Sequence, residues 1–147
     1  MARANKTIAK KSFTAIPIFG WIYSFGSVLV DRNDDSSRRK SYEEMKRMLN
    51  YGLDMVIYPE GTRNRTDKPL KEFYDGAFRL AADTKKPVVP VLVFNTRKVL
   101  PVEKTFYLLP HKLEMHFLPP VESVGISAKD LKEKVFKMMW DYYAAHQ

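Results

Sequence analysis

The sequence predicts an α/β fold, a mainly parallel twisted sheet flanked by helices. Two apolar runs, residues 27–30 and 55–58, read as strands. Between them, residues 37–51 place Tyr42, Met45, Met48 and Leu49 on one helical face. Such a strand–helix–strand unit implies parallel strands and a crossover. A third apolar run, residues 88–94, follows a second amphipathic helix and is expected in the same sheet. With 147 residues and 45% apolar content, the chain is long enough for one domain with its own core, residues 1–147.

In chain order, residues 7–10 read as a short strand. Residues 12–25 carry no charge and include Phe13, Ile16, Phe19, Trp21, Ile22, Tyr23 and Phe25. That is too apolar all round for a solvated helix, so the core or a lipid surface should cover it. Pro17 and Gly20 interrupt the run and argue against a transmembrane span. Asn33, Asp34, Asp35 and Ser36 form a turn with helix-start chemistry, and Gly52 ends the helix that follows. Pro59 stops the strand after it, because proline offers no N–H to a ladder. Residues 64–71 read as a polar loop, and a helix over residues 74–84 should bury Ala77, Phe78, Leu80 and Ala81. Pro90 makes residues 88–94 an edge or irregular strand. Residues 97–110 show no clear pattern. Leu113, Met115 and Phe117 alternate with polar residues, which predicts a half-buried strand. Ser127 and Asp130 form a capping pair, and the last helix should bury Leu131, Val135, Met138 and Tyr142.

The formal charge of +8 points to anionic partners: phosphate compounds, acidic lipid surfaces or nucleic acid. Nucleic acid ranks last, because the aromatics sit at core spacing and are not interleaved with Lys and Arg. The absence of cysteine excludes a disulfide framework, a thiol nucleophile and Cys-based zinc sites.

Chemistry concentrates at two predicted strand ends. One carries Asp31 and Arg32, the other Glu60, Gly61, Thr62 and Arg63. In open parallel sheets ligands bind at such ends. Arg63 offers a fork of donors suited to a phosphate. Gly61 lets a ligand approach the backbone. Thr62 adds a hydroxyl and an N–H, and Glu60 can hold Arg63 or accept a substrate hydroxyl. Taken alone, the four residues read first as an ordinary polar turn with a surface ion pair. Their pairing with Arg32, at the end of a parallel strand, favours one shared anionic ligand.

The motifs resemble the glycerolipid acyltransferases, the lysophosphatidic acid acyltransferase family. The family block F-P-E-G-T-R stands here as Tyr58-Pro59-Glu60-Gly61-Thr62-Arg63, and G-x-x-F-[IV]-D-R as Gly26 to Arg32. The V-x-P block is Val88-Val89-Pro90-Val91. Ala9-Lys10-Lys11-Ser12, Ile16-Pro17-Ile18-Phe19-Gly20 and Gly76-Ala77-Phe78 also look like the family. The N-H-x4-D block, which supplies the family's catalytic histidine and aspartate, is not found: of His111, His116 and His146, none has an aspartate five positions on. A second departure is the turn Phe73-Tyr74-Asp75-Gly76, where the family often has a basic residue before the glycine.

The resemblance implies a glycerolphosphate acyltransferase-like fold, N-terminally truncated relative to the family. It implies acyl transfer from acyl-CoA or an acyl-carrier protein to lysophosphatidic acid, with no metal or redox cofactor and no catalytic residue in this chain. Arg32, Glu60, Gly61, Thr62 and Arg63 match the positions that bind the glycerol-phosphate head. Lys10 and Lys11 are candidates for phosphate or membrane contact. Expected partners are the lysophospholipid, the acyl donor and a membrane surface on the cytoplasmic face, with no nucleic acid. The alternative is a non-catalytic phospholipid or lysophospholipid binder on the same fold.

Overall fold

The computed structural model describes residues 4–10, 26–31, 34–101 and 109–146. The apolar run 12–25 therefore lies outside the described residues, as do Lys11 and Arg32. The chain divides into two compact units, Met1–Tyr58 and Pro59–Gln147.

In the first unit, strands β1 (Asn5–Lys10), β2 (Ser27–Val30) and β3 (Asp54–Val56) form a parallel sheet in the order β2-β1-β3. The weakly patterned segment near residue 7 is thus the central strand. Thr7 pairs with Ser27 on one side and with Val56 on the other, and its hydroxyl donates to the Val56 carbonyl at 3.2 Å. Helix α1 (Asp35–Asn50) connects β2 to β3. Asp34 caps it, accepting from the N–H groups of Ser36 and Ser37 at 3.1 Å each. At its other end Gly52 takes a φ of 85°, and the N–H groups of Gly52 and Leu53 close back on Leu49 and Met48. That is a Schellman ending, and the positive φ is why glycine stands there. Val28, Val30 and Met45 are buried, so the apolar stripe of α1 covers the sheet as its spacing predicts. Strand β3 is shorter than expected and not buried, with Val56 43% exposed. It has a ladder partner on one side only among the described residues, so that half of its polar edge needs no apolar cover.

The second unit holds α2 (Gly76–Thr84), β4 (Val91–Phe94), the short α3 (Thr96–Val99), β5 (Glu114–Phe117) and α4 (Ala128–Ala145). Residues 88–94 do not extend the parallel sheet. Among the described residues β4 pairs antiparallel with β5, with Val91 opposite Phe117 and Phe94 opposite Glu114. Pro90 is the physical reason for the irregularity: it donates nothing, and its carbonyl instead accepts from Leu118 at 2.9 Å. Val88 then makes an isolated antiparallel bridge with Val121.

The faces of β5 are also reversed from expectation. Met115 and Phe117 are 60% and 68% exposed, whereas His116 turns toward α4. Its Nδ1 lies 2.9 Å from the Tyr142 hydroxyl, and its ring packs against Phe94 at 4.7 Å. A hydrogen bond and a ring contact decide the register where alternation alone chose the other face. The core of this unit gathers Leu70, Phe73, Phe78, Ala81, Leu92, Leu118, Val121, Leu131, Val135 and Met139. On α4 the fully covered methionine is Met139, with Met138 only partly buried. The cap is as expected, Ser127 accepting from the Asp130 N–H at 3.1 Å. At the start of α2, Asp75 accepts from the Lys132 ammonium of α4 at 2.6 Å.

Candidate functional site

Residues 59–74 form a loop whose ends are tied together. The Pro59 carbonyl accepts from the Tyr74 N–H at 2.9 Å, and buried Leu70 and Phe73 anchor the returning strand of chain in the core. This is an Ω-type loop, compact and held by its own side chains. Asn64 organises the tip: its Oδ1 accepts from the Thr66 N–H at 2.9 Å and the Thr66 hydroxyl at 2.7 Å, and its Nδ2 donates to the Lys68 carbonyl at 2.8 Å. Exposed Arg97 of α3 pairs with Asp67 at 3.7 Å.

The four motif residues sit where this loop begins. Thr62 N–H donates to the Glu60 carbonyl at 2.8 Å, closing a three-residue turn around Gly61 at a φ of 68°. A side chain at Gly61 would be strained in that conformation. Of the two expected roles for Glu60, holding Arg63 or accepting a substrate hydroxyl, the first is not what the structure has. Instead Oε2 accepts from the backbone N–H of Lys71 at 3.2 Å, while the Arg63 guanidinium donates to the Leu100 carbonyl. The reason is that each side chain finds a backbone partner of its own, Glu60 the Lys71 N–H and Arg63 the Leu100 carbonyl. Burial raises the Glu60 pKa above the ordinary glutamate value, opposed by the Lys71 N–H bond and the Lys71 charge.

The Lys71 ammonium donates to the Thr62 hydroxyl at 2.7 Å. Thr62, Arg63, Arg65, Thr66 and Lys71 line one open hollow of about 400 Å³. Three cationic side chains and two hydroxyls around a solvent-accessible hollow can bind an oxyanion by charge-assisted hydrogen bonds. Neither Arg65 nor Lys71 stood out in the sequence, where both fell in a polar loop. The available signal was Lys71 between Leu70 and Phe73, two apolar residues that anchor the chain beside it.

Of the remaining predicted residues, Lys10 ends β1 opposite Val30. Lys11 and Arg32 lie outside the described residues. No group of three or more His, Cys, Asp or Glu residues that could hold a metal occurs among the described residues.

The family model described as Acyltransferase matches residues 2–94. A 1-acyl-sn-glycerol-3-phosphate acyltransferase of Chlamydomonas reinhardtii is 33% identical over 124 residues, covering 82% of this chain and 37% of that protein. One from Salmonella typhimurium is 33% identical over 121 residues, covering 79% of this chain and 46% of that protein. The crystal structure of the 1-acyl-sn-glycerophosphate acyltransferase of Thermotoga maritima matches with a TM-score of 0.72 at 25% identity, over 91% of this chain and 53% of that one. The chain thus spans about half or less of the length of these relatives. With a matching family model over most of its residues, a strand–helix–strand unit and its motif turn in place, the chain belongs to the acyltransferase family.

Proposed function

We propose that this chain supplies the glycerol-phosphate-binding part of an acyltransferase that moves a fatty acyl group from acyl-CoA or an acyl-carrier protein to lysophosphatidic acid. The observation that carries this reading is the hollow lined by Thr62, Arg63, Arg65, Thr66 and Lys71, built on the motif turn itself. In the reaction a glycerol hydroxyl loses its proton, its oxygen attacks the thioester carbonyl, the C–S bond breaks and the thiol leaves. The residues of this chain hold the acceptor for that attack. Arg63 binds phosphate oxygens through its fork, Thr62 adds a hydroxyl, Gly61 admits the ligand to the backbone, and Glu60 fixes the turn against the returning chain. Arg32, which stands in the D-R part of the family motif, is a further candidate for the phosphate on sequence grounds. The proton is taken by a histidine–aspartate pair of the N-H-x4-D type, a pattern that these 147 residues do not contain.

The acceptor is a lipid, so the reading includes contact with a membrane surface on its cytoplasmic face, through Lys10, Lys11 and the uncharged run 12–25. Among the described residues no helix is long and apolar enough to cross a membrane. Titration of glycerol 3-phosphate against wild type and Arg63→Ala tests the binding site, which equal affinities would remove. An assay with acyl-CoA and lysophosphatidic acid tests the division of labour. Robust turnover by this chain alone would place the general base within it and overturn the assignment.

A further inference from the structure

We infer that Lys71 is a phosphate ligand that makes this site select a phosphomonoester over a phosphodiester. The inference rests on the glycerol-phosphate reading above and adds to it a residue and a selectivity.

Lys71 is not a loose surface lysine. Its position is fixed by Leu70 and Phe73, both in the core, and by its backbone N–H on Glu60 Oε2 at 3.2 Å. Its ammonium is fixed in turn on the Thr62 hydroxyl at 2.7 Å. One residue therefore engages both sides of the Gly61 turn, Glu60 through its main chain and Thr62 through its side chain. An ammonium has three N–H donors, and the Thr62 hydroxyl accepts from one. The ammonium also lines the hollow beside Arg63 and Arg65, so a ligand oxygen there meets it directly.

The charges explain the selectivity. Arg63, Arg65 and Lys71 line the hollow, and no carboxylate is among the residues that line it. A phosphomonoester carries about −1.5 to −2 near neutral pH, because its second pKa is about 6. A phosphodiester lacks that second ionisable oxygen and carries a single charge. The second charge gains from every cation in the hollow, and the diester's extra substituent instead occupies space next to one of them. Lys71 suits this task as a compact point charge, complementing the planar fork of Arg63.

The test uses glycerol 3-phosphate as the monoester and glycerophosphocholine as the diester, titrated against the whole chain. Wild type should prefer the monoester by about tenfold or more, the size of one charge-assisted bond. Lys71→Met, which keeps the backbone N–H to Glu60, should lose most of that preference through weaker monoester binding while diester binding changes little. Lys71→Arg should retain it. A wild type that binds both ligands equally overturns the inference without any variant. So does a Lys71→Met protein, folded by circular dichroism, with undiminished preference. If Arg63→Ala weakens glycerol 3-phosphate binding while Lys71→Met leaves it unchanged, the selectivity fails and the glycerol-phosphate reading stands. If wild type binds neither ligand, both fall.

Discussion

The main-chain N–H of Lys71 donates to the carboxylate of Glu60 at 3.2 Å, joining the start of the motif turn to the end of its loop. Glu60 is thus a scaffold for the returning chain, and its partner is a peptide N–H that any residue but proline at position 71 would keep.

This relationship gives a pH-dependent prediction. Burial raises the Glu60 pKa, so the folded state keeps its proton to higher pH than the unfolded chain does. Between the ordinary value and the raised one the folded state binds more protons, and stability falls as pH rises through that window. Glu60→Gln keeps an acceptor for the Lys71 N–H and has no such loss. Its melting temperature should match wild type at about pH 4 and exceed it at about pH 7, on either side of the ordinary glutamate range. Thermal unfolding at both values checks this, and a wild type that gains on the variant toward neutral pH would contradict it.

Arg63 should dominate binding of the glycerol-phosphate head. Charge-assisted hydrogen bonds contribute roughly 1.5–3 kcal/mol each, so Arg63→Ala should weaken glycerol 3-phosphate affinity by about tenfold to a hundredfold. Arg63→Lys should recover only part, because the ammonium keeps the charge and loses the fork. Isothermal titration of the two variants gives both numbers.

Gly61 should resist substitution. At a φ of 68°, an alanine would meet a steric cost of roughly 1–2 kcal/mol. Gly61→Ala should lower the urea midpoint and also weaken phosphate binding, since the same turn places Thr62 and Arg63.

The reversed faces of β5 separate two neighbouring residues. Leu118 is 5% exposed and Phe117 is 68% exposed. Leu118→Ala should cost about 2–5 kcal/mol, as buried leucines do, and Phe117→Ser should stay within about 0.5 kcal/mol. Urea unfolding of the two variants would show it, and a larger effect at Phe117 would restore the alternation read from the sequence.

Vesicle binding tests the membrane contact. If Lys10, Lys11 and the run 12–25 meet an acidic bilayer, flotation with phosphatidylserine vesicles should recover the chain at low salt, and less of it as salt rises. Recovery only in the soluble fraction would return that run to the protein core.

Much of this was legible in the sequence. The crossover unit, the Asp34 and Ser127 caps and the Gly52 ending are local signals, set by residues within a turn or two of one another, and the structure has all of them. What failed was non-local. The partner of residues 91–94 depends on a strand some twenty positions later, and the inward face of β5 on Tyr142, farther still. The same holds at the site. The turn residues were visible because they are contiguous, whereas Lys71 reaches Thr62 only through the closure of a loop that carries no periodic signal.

The middle strand of the parallel sheet comes first in the sequence. β1 pairs with β2 about twenty residues on and with β3 nearly fifty residues on, Asn5 lying opposite Asp54. Closing such separations costs chain entropy before any ladder bond repays it, so this sheet belongs to the slower, high-contact-order class of folding problems. During synthesis β1 emerges before either strand that pairs with it, β2 covering one edge first and β3 the other only after α1 has followed. The few residues around Thr7 therefore govern the order of assembly: a change there removes the template on which both later strands are laid.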